Sequence, residues 1–146
     1  MIMISLDKFT FTGLLKEEQA ITLSALSIAG ALMIGEVARL LWIKRNLPIS
    51  IEVRIGDSII YYAFLPGSIS ENQWWIDCKA RVVLLIHHST LYEQKNASKK
   101  GIDWHKENNL VDETHTIHRG GLPLITKDKG FVGVLTISGI PRLKDN

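Results

Sequence analysis

The sequence predicts a single α+β domain in which helices pack against one antiparallel sheet. At 146 residues the chain has room for one domain and too little for two. Its composition, 46% hydrophobic and 22% charged, is typical of a globular protein. Short stretches of alternating apolar and polar residues form hairpin-like pairs, and a long helical pattern separates the pairs. This order favours an α+β layer sandwich over a doubly wound sheet.

The first part of the chain is predicted to contain a helical turn over 14–19, an edge strand over 21–26 and then a long helix. Ser27 is a plausible N-cap for a helix that continues to about Asn46. A continuous helix over 14–46 is the alternative. Because the helix is apolar on most of its sides, we expect it to press against the sheet.

Composition and charge narrow the class of protein. The charge-free stretch 20–35 is shorter than the roughly 18 to 20 residues that span a bilayer, so no membrane segment is expected. The start of the chain, with Asp7 and Lys8, is a poor signal peptide, and the lone Cys78 fits a reducing compartment. The formal net charge of +2 is spread along the chain, which disfavours nucleic-acid binding. We therefore expect a cytoplasmic protein without a membrane or nucleic-acid partner.

A hairpin and a second long helix are predicted for the middle of the chain. Strands over 49–55 and 59–64 are separated by a tight turn, which is typical of a β-hairpin. Ser70 and Gln73 have the spacing of a capping box, and this predicts a helix that runs from there to about His88.

The last part is predicted to be a polar connection over 90–118, with a short helix around Trp104, followed by two strands. The strands cover 121–126 and 131–138. In the final strand one face is predicted to carry Phe131, Leu135 and Ile137, and the other Val132 and Val134. Because both faces are apolar, we expect a covered, central strand.

Lys79 lies on the apolar face of the second long helix. Its helical neighbours on that face are Trp75, Val82, Val83 and Ile86. In one interpretation the lysine stem covers apolar surface while the ammonium reaches solvent. In the other, Lys79 points into a pocket and pairs with an acidic ligand group or a buried carboxylate.

Histidines occur in two places that could carry chemistry. His88, followed by Ser89, ends the second long helix, where the helix dipole alone favours a histidine. His105, His115 and His118 could assemble a metal or axial haem site, or could be solvated loop side chains. Because no cysteine or carboxylate cluster stands at ligand spacing, the solvated alternative is favoured and no metal site is predicted.

Arg119, Gly120 and Gly121 lead directly into a strand. Paired glycines could present backbone N–H groups to an anion, or they could only form the turn that starts the strand. The sequence contains no phosphate-binding loop, no dinucleotide fingerprint and no carboxylate pair poised for acid–base chemistry.

Three separated segments together resemble one family signature. They comprise Asn72, Trp75, Ile76, Lys79, His88 and Ser89, then Gly120, Gly121 and Pro123, and finally Gly133, Ser138, Gly139, Ile140 and Pro141. On these segments the chain, from about Leu14 onward, resembles the haem-degrading domain family, also called GlcG/HbpS-like. The resemblance implies a profilin-like α+β fold and assembly into homo-oligomers, and it makes haem a candidate ligand.

Two departures from the family pattern bear on this expectation. The family usually continues into Asp-His and a terminal helix, whereas here Asp145 is followed by asparagine. We therefore expect 1–13 to be an N-terminal extension and 14–146 to be a single domain that lacks the usual C-terminal helix, which leaves a face of the sheet uncovered. Cys78 stands where the family tends to place an arginine, and this weakens any anion site built with Lys79.

The combined expectation is an oligomeric domain that binds a small ligand, either haem or another anionic molecule. The predicted ligand site comprises Trp75, Lys79, His88, Ser89, His118, Gly120 and Gly121. In it Lys79 and the glycine N–H groups meet the anionic group, and no catalytic residue is assigned. An enzyme that degrades haem or converts another small molecule is one alternative, and a ligand-free interaction scaffold is another. Self-association is favoured by the mean hydropathy of +0.10.

Overall fold

The computed structural model describes residues 20–139. The elements in chain order are β1 (Ile21–Leu23), α1 (Ile28–Ile43), β2 (Ser50–Ile55), β3 (Ser58–Phe64), α2 (Glu71–Ile86), α3 (Thr90–Lys100), α4 (Trp104–Asn108), β4 (Gly121–Thr126) and β5 (Gly130–Ser138). The predicted extension over 1–13 and the predicted helical turn over 14–19 lie outside the described residues.

The described strands form one sheet in the order β1-β4-β5-β2-β3. The neighbouring pairs from β4 to β3 are antiparallel, and β1 runs parallel to β4. The predicted α+β fold with its layered helices is therefore confirmed, and β1 adds a parallel pair to an otherwise antiparallel sheet. β1 is an edge strand, as predicted, but it is only three residues long.

The predicted start of α1 is confirmed. The Ser27 side chain accepts a hydrogen bond from the Gly30 N–H at 3.1 Å, which satisfies one of the free donors of the first turn. Because the chain forms β1 immediately before this cap, the alternative of one continuous helix over 14–46 is wrong. α1 ends three residues before Asn46, whose φ of 53° is left-handed.

The second predicted helix exists, but its cap does not form as expected. α2 starts at Glu71, and the Ser70 side chain makes no capping hydrogen bond. Gln73 donates instead to Asp77 at 3.0 Å, one turn further along the helix. The helix ends at Ile86, two residues earlier than expected, and His87 follows as its C-cap in a left-handed conformation.

The prediction of a polar connection over 90–118 is wrong in its first third. Thr90–Lys100 forms α3, because the Ser89 side chain caps it by accepting from the Tyr92 N–H at 3.0 Å. The helix has only a narrow apolar stripe, and that weak periodicity concealed it. The short helix expected around Trp104 is confirmed as α4.

The main hydrophobic core lies between α1 and the sheet. It is formed largely by Ile34, Ala38 and Trp42 of α1 with Ile51, Val53, Leu124, Leu135 and Ile137 of the strands. α2 covers the opposite face and is itself covered by α3 and α4, where Val82 packs with Ala97 and Trp104. The layers are therefore α1, the sheet, α2, and finally the α3–α4 pair.

The final strand is central and covered, as predicted, but its faces differ from the prediction at one end. Leu135 packs towards α1 and Val134 towards α2. Phe131, however, packs with Val134, whereas Val132 contacts the α1 core. The register between β4 and β5 shifts near Leu124, and a one-residue shift exchanges the faces of the residues beyond it.

The expectation that the final strand leaves a face of the sheet uncovered is wrong for the described residues. Residues 133–138 are all buried within one chain, because α1 covers one face and α2 the other. Within residues 20–139, no helix has the length and hydropathy that crossing a bilayer requires.

Candidate functional site

A cavity of about 590 Å³ opens where α2, α3 and the end of β5 meet the segment before β4. Its volume is within the range of ordinary small-molecule sites. It is lined by Asn72, Trp75, Lys79, Gln94, His118, Arg119, Ser138 and Gly139. Trp75, Lys79 and His118 of the predicted site therefore come together, and Arg119 joins them.

Lys79 is the most unusual side chain of this cavity, because it is only 5% exposed. The interpretation in which its ammonium reaches solvent is wrong. Its Nζ donates to the Ile137 carbonyl oxygen at 3.0 Å, and none of the described carboxylates pairs with it. The side chain thus faces the cavity with two of its three N–H donors uncommitted within the described part of the chain.

Two effects lower the pKa of Lys79 to about 8. Burial is the larger, because it penalises the charged form, and the nearby Arg119 guanidinium adds a like charge. The two cations share one cavity wall, and their mutual repulsion is relieved when an anion lies between them. Cys78, which stands where the family tends to place an arginine, is not among the residues that line the cavity, whereas Arg119 is. Arg119 therefore supplies the second cation beside Lys79.

Trp75 and His118 form another side of the cavity. Their ring centroids are 5.4 Å apart and nearly perpendicular, an edge-to-face contact. Trp75 is half-buried and His118 is exposed at the rim. The pair offers an apolar surface together with an imidazole nitrogen that a ligand can reach.

The two glycines support Lys79 from the β4 side by allowing close packing. A Cβ at Gly120, whose φ is +126°, would overlap the Ile137 carbonyl oxygen and lie 3.0 Å from Lys79 Nζ. The Gly121 N–H donates to Thr90 Oγ1 at 3.0 Å, so it already has a partner. The paired glycines therefore make room for the lysine, and the interpretation of Gly121 as part of an anion-binding nest is wrong.

His88 and Ser89 are not among the residues that line the cavity. His88 is exposed and stacks on Tyr92, with ring centroids 4.7 Å apart. Ser89 is buried and serves as the N-cap of α3. In the structure these two predicted site residues are placed at the junction of α2 and α3.

The three histidines of the metal hypothesis separate into two places. His105 Nε2 lies 2.7 Å from the His115 carbonyl oxygen, whereas His118 lines the cavity. Among the residues that the structure describes, no group of three or more His, Cys, Asp or Glu side chains could hold a metal ion. A site built from all three histidines is therefore wrong.

Asn72, Gln94, Ser138 and Gly139 line the cavity but were absent from the predicted site. Three of them belonged to the segments that carry the family resemblance, which was the available signal. Gln94 could not be found in this way, because it reaches the cavity only through α3.

The geometry can be compared with known proteins. Residues 26–146 match a family model described as haem degrading protein HbpS-like. The chain belongs to this HbpS-like family. A UPF0303 protein of Streptomyces avermitilis is 28% identical over 137 residues, which cover 94% of this chain and 84% of that relative.

Two solved structures resemble the fold of this HbpS-like chain. The crystal structure of Ybr137w superposes with a TM-score of 0.71 at 22% identity, covering 94% of this chain and 78% of the other. The crystal structure of a PduOC–haem complex gives a TM-score of 0.60 at 19% identity, with 80% and 84% covered. At these identities the likeness establishes the fold alone.

Proposed function

We propose that this protein binds a small carboxylate-bearing molecule in the cavity beside α2, with haem as the first candidate. One observation carries the proposal. Lys79 is a buried ammonium that faces the cavity beside Arg119, and no described carboxylate neutralises it. Buried charges are normally paired, so the geometry favours a partner that arrives from solution.

The polar groups of the cavity suit such a partner. Lys79 offers uncommitted N–H donors, and Arg119 offers a planar guanidinium that matches a carboxylate. Ser138 and Asn72 contribute neutral hydrogen-bonding groups, while Trp75 contributes apolar surface. A few polar groups that converge on an apolar wall are the usual composition of a ligand site.

Haem fits the donors that the cavity provides. Its two propionates would meet Lys79 and Arg119, its ring would lie against Trp75, and the His118 imidazole could hold the iron. Bound haem would supply an iron centre for ligand or electron chemistry. The family match and the haem complex of the PduOC neighbour support this choice.

A haem titration followed by absorbance tests the proposal. We expect wild type to shift the haem absorbance band on binding. Lys79→Met should weaken binding about ten- to a hundred-fold, since a charge-assisted contact contributes roughly 1.5–3 kcal/mol. His118→Ala should alter the band if its imidazole holds the iron.

His88→Ala is the matched control, because His88 is an exposed histidine outside the cavity lining. It should bind haem like wild type. If wild type shows neither a haem band nor thermal stabilisation by simple carboxylates such as lactate, the proposed function is wrong. A band lost in His88→Ala but kept in His118→Ala would move the site to the α2–α3 junction.

We also propose that copies of the chain associate with one another. The final strand is covered within one chain, and we place the contact between copies on the outward side of α1. Within the described part of the chain that side exposes Ile28, Leu32, Met33, Leu40 and Ile43, each at least 36% accessible. Sedimentation velocity at low micromolar concentration should show an oligomer that Leu40→Glu disrupts, and a monomeric wild type would contradict it.

A further inference from the structure

We propose that Lys79 is also a nucleophile, which forms a reversible imine with the carbonyl group of a small 2-oxo acid bound in the cavity. This inference rests on the proposed carboxylate site and adds a covalent step to it. It assigns Lys79 a reaction, and it assigns Arg119 the task of holding the carboxylate next to the reacting carbonyl.

The placement of Lys79 is what a reactive amine requires. The side chain is buried, yet it lines an open cavity, so a small molecule can reach Nζ while bulk water cannot surround it. Its only described hydrogen-bond partner is a neutral carbonyl oxygen, that of Ile137, and no carboxylate within residues 20–139 pairs with it to hold it as an ammonium. Gly120 keeps the space around Nζ open, because a side chain there would press on the amine.

The neighbouring cation both activates the amine and orients the substrate. A lysine desolvated beside another cationic group is a recognised route to an amine nucleophile. The pKa of Lys79 is lowered to about 8 by burial and by Arg119, so a useful fraction of neutral amine exists near neutral pH. A carboxylate held by Arg119 would place an adjacent carbonyl carbon within reach of Nζ.

The reaction balances without an oxidant or a reductant. The lone pair of the neutral amine forms a C–N bond to the carbonyl carbon, and the carbonyl oxygen takes up a proton to give a carbinolamine. The hydroxyl then leaves as water as the C–O bond breaks, the C=N bond forms and the nitrogen loses its protons. His118, at the rim of the cavity, can donate the proton that the departing hydroxyl needs.

Borohydride trapping with pyruvate tests this inference on the full chain. Protein is incubated with pyruvate at pH 7.5, reduced with sodium borohydride and mapped by peptide mass spectrometry. We expect the reduced adduct on Lys79 at about ten-fold or more the level on Lys99 and Lys100. These two lysines are exposed at the end of α3 and serve as controls within the same molecule.

Two variants and one analogue separate the imine from simple anion binding. Lys79→Arg keeps the charge and should retain stabilisation by lactate, a matched carboxylate without the carbonyl, while losing the adduct. Lys79→Met should lose both. If either variant fails to fold, the position of the reduced adduct in the peptide map of the wild-type protein still tests the imine.

An adduct spread evenly over exposed lysines, or no adduct at all, overturns the inference. If lactate then still stabilises wild type and not Lys79→Met, the imine is wrong and the carboxylate site stands. If lactate and haem also fail to bind, both proposals are wrong.

Discussion

The two faces of the central sheet are built from different residue types, although both are buried. The face towards α1 carries Ile51, Val53, Leu135 and Ile137 on β2 and β5. The face towards α2 carries Ser50, Glu52, Thr136 and Ser138 on the same strands, each at most 2% exposed. Apart from Phe131 and Val134 at the start of β5, this pair of strands therefore presents an apolar surface on one side and a polar surface on the other.

The polar face does not satisfy all of its own groups. Arg54 donates to one oxygen of Glu52 and, at 3.0 Å, to Asp77 on α2. The other Glu52 oxygen and the Thr136 hydroxyl have no hydrogen-bond partner among the described residues. Tyr62 and Thr136 flank Glu52 on its two neighbouring strands. Such a face stabilises the fold less than an apolar one does.

The polar face continues into the cavity. Ser138 lies two residues beyond Thr136 on the same side of β5 and lines the cavity with Lys79. This difference indicates that α1 and its face of the sheet contribute more to stability than the face towards α2 does. The α2 face holds buried polar groups at a cost in stability, and the proposed ligand site lies at its end.

The largest effect should come from the apolar face. Ile51→Ala removes buried methyl and methylene groups from the α1 core and should lower the free energy of unfolding by about 2–5 kcal/mol. Urea denaturation followed by tryptophan fluorescence measures it. Val111→Ala, at a position 56% exposed, should stay within about 0.5 kcal/mol. Equal losses in both variants would contradict the assignment of the core.

Lys79→Met, on the face towards α2, should raise the free energy of unfolding, whereas Ile51→Ala lowers it. Depression of the lysine pKa from 10.5 to about 8 corresponds to roughly 3 kcal/mol of penalty for the buried charge. Part of the gain is offset because the Ile137 carbonyl loses its hydrogen bond. At pH 7 we expect the free energy of unfolding to rise by up to about 2 kcal/mol while ligand binding weakens. A loss above about 1 kcal/mol would show that Lys79 is a structural residue.

The pH dependence of stability offers a smaller, independent measure. The folded pKa of Lys79 lies below its unfolded value, so the unfolded chain binds more protons between about pH 8 and 10.5. Stability is therefore gained as pH rises through this window and lost as it falls towards pH 8. Relative to Lys79→Met, wild type should gain about 1 kcal/mol between pH 7 and 9. Parallel curves would contradict the lowered pKa.

The smallest effect should be that of Thr136→Val. Because the Thr136 hydroxyl has no partner among the described residues, its removal should change the free energy of unfolding by less than about 0.5 kcal/mol. Thr90→Val is the matched comparison, since Thr90 Oγ1 accepts the Gly121 N–H and its loss should cost about 1–3 kcal/mol. Thermal or urea denaturation distinguishes the two.

Local patterns were sufficient to predict much of the fold. The Ser27 cap, the β2–β3 hairpin and the β4–β5 pair are short-range features, and the structure confirms them. The predicted face of Phe131 was wrong, because a register shift between two strands depends on the partner strand and not only on the local sequence. α3 was missed because its stripe is narrow, and it packs mainly on other helices.

The candidate site was only partly accessible to sequence reasoning. Lys79 could be singled out because a lysine on an apolar helix face conflicts with its surroundings. The choice between solvent and cavity required the position of β5, which supplies the Ile137 carbonyl. Arg119 was noticed only as a neighbour of the glycines, since its proximity to Lys79 is a tertiary feature.

The ionisation of Lys79 is the most direct test of the account. NMR titration of the lysine side chains, with Lys79→Met to assign the signal, gives the pKa of this amine in the free protein. We expect it near 8, and we expect it to rise when protoporphyrin IX, which carries two propionates and no iron, is added. A value near 10.5 that does not respond to the porphyrin would contradict the claim that Lys79 is a buried cation held for an anionic ligand.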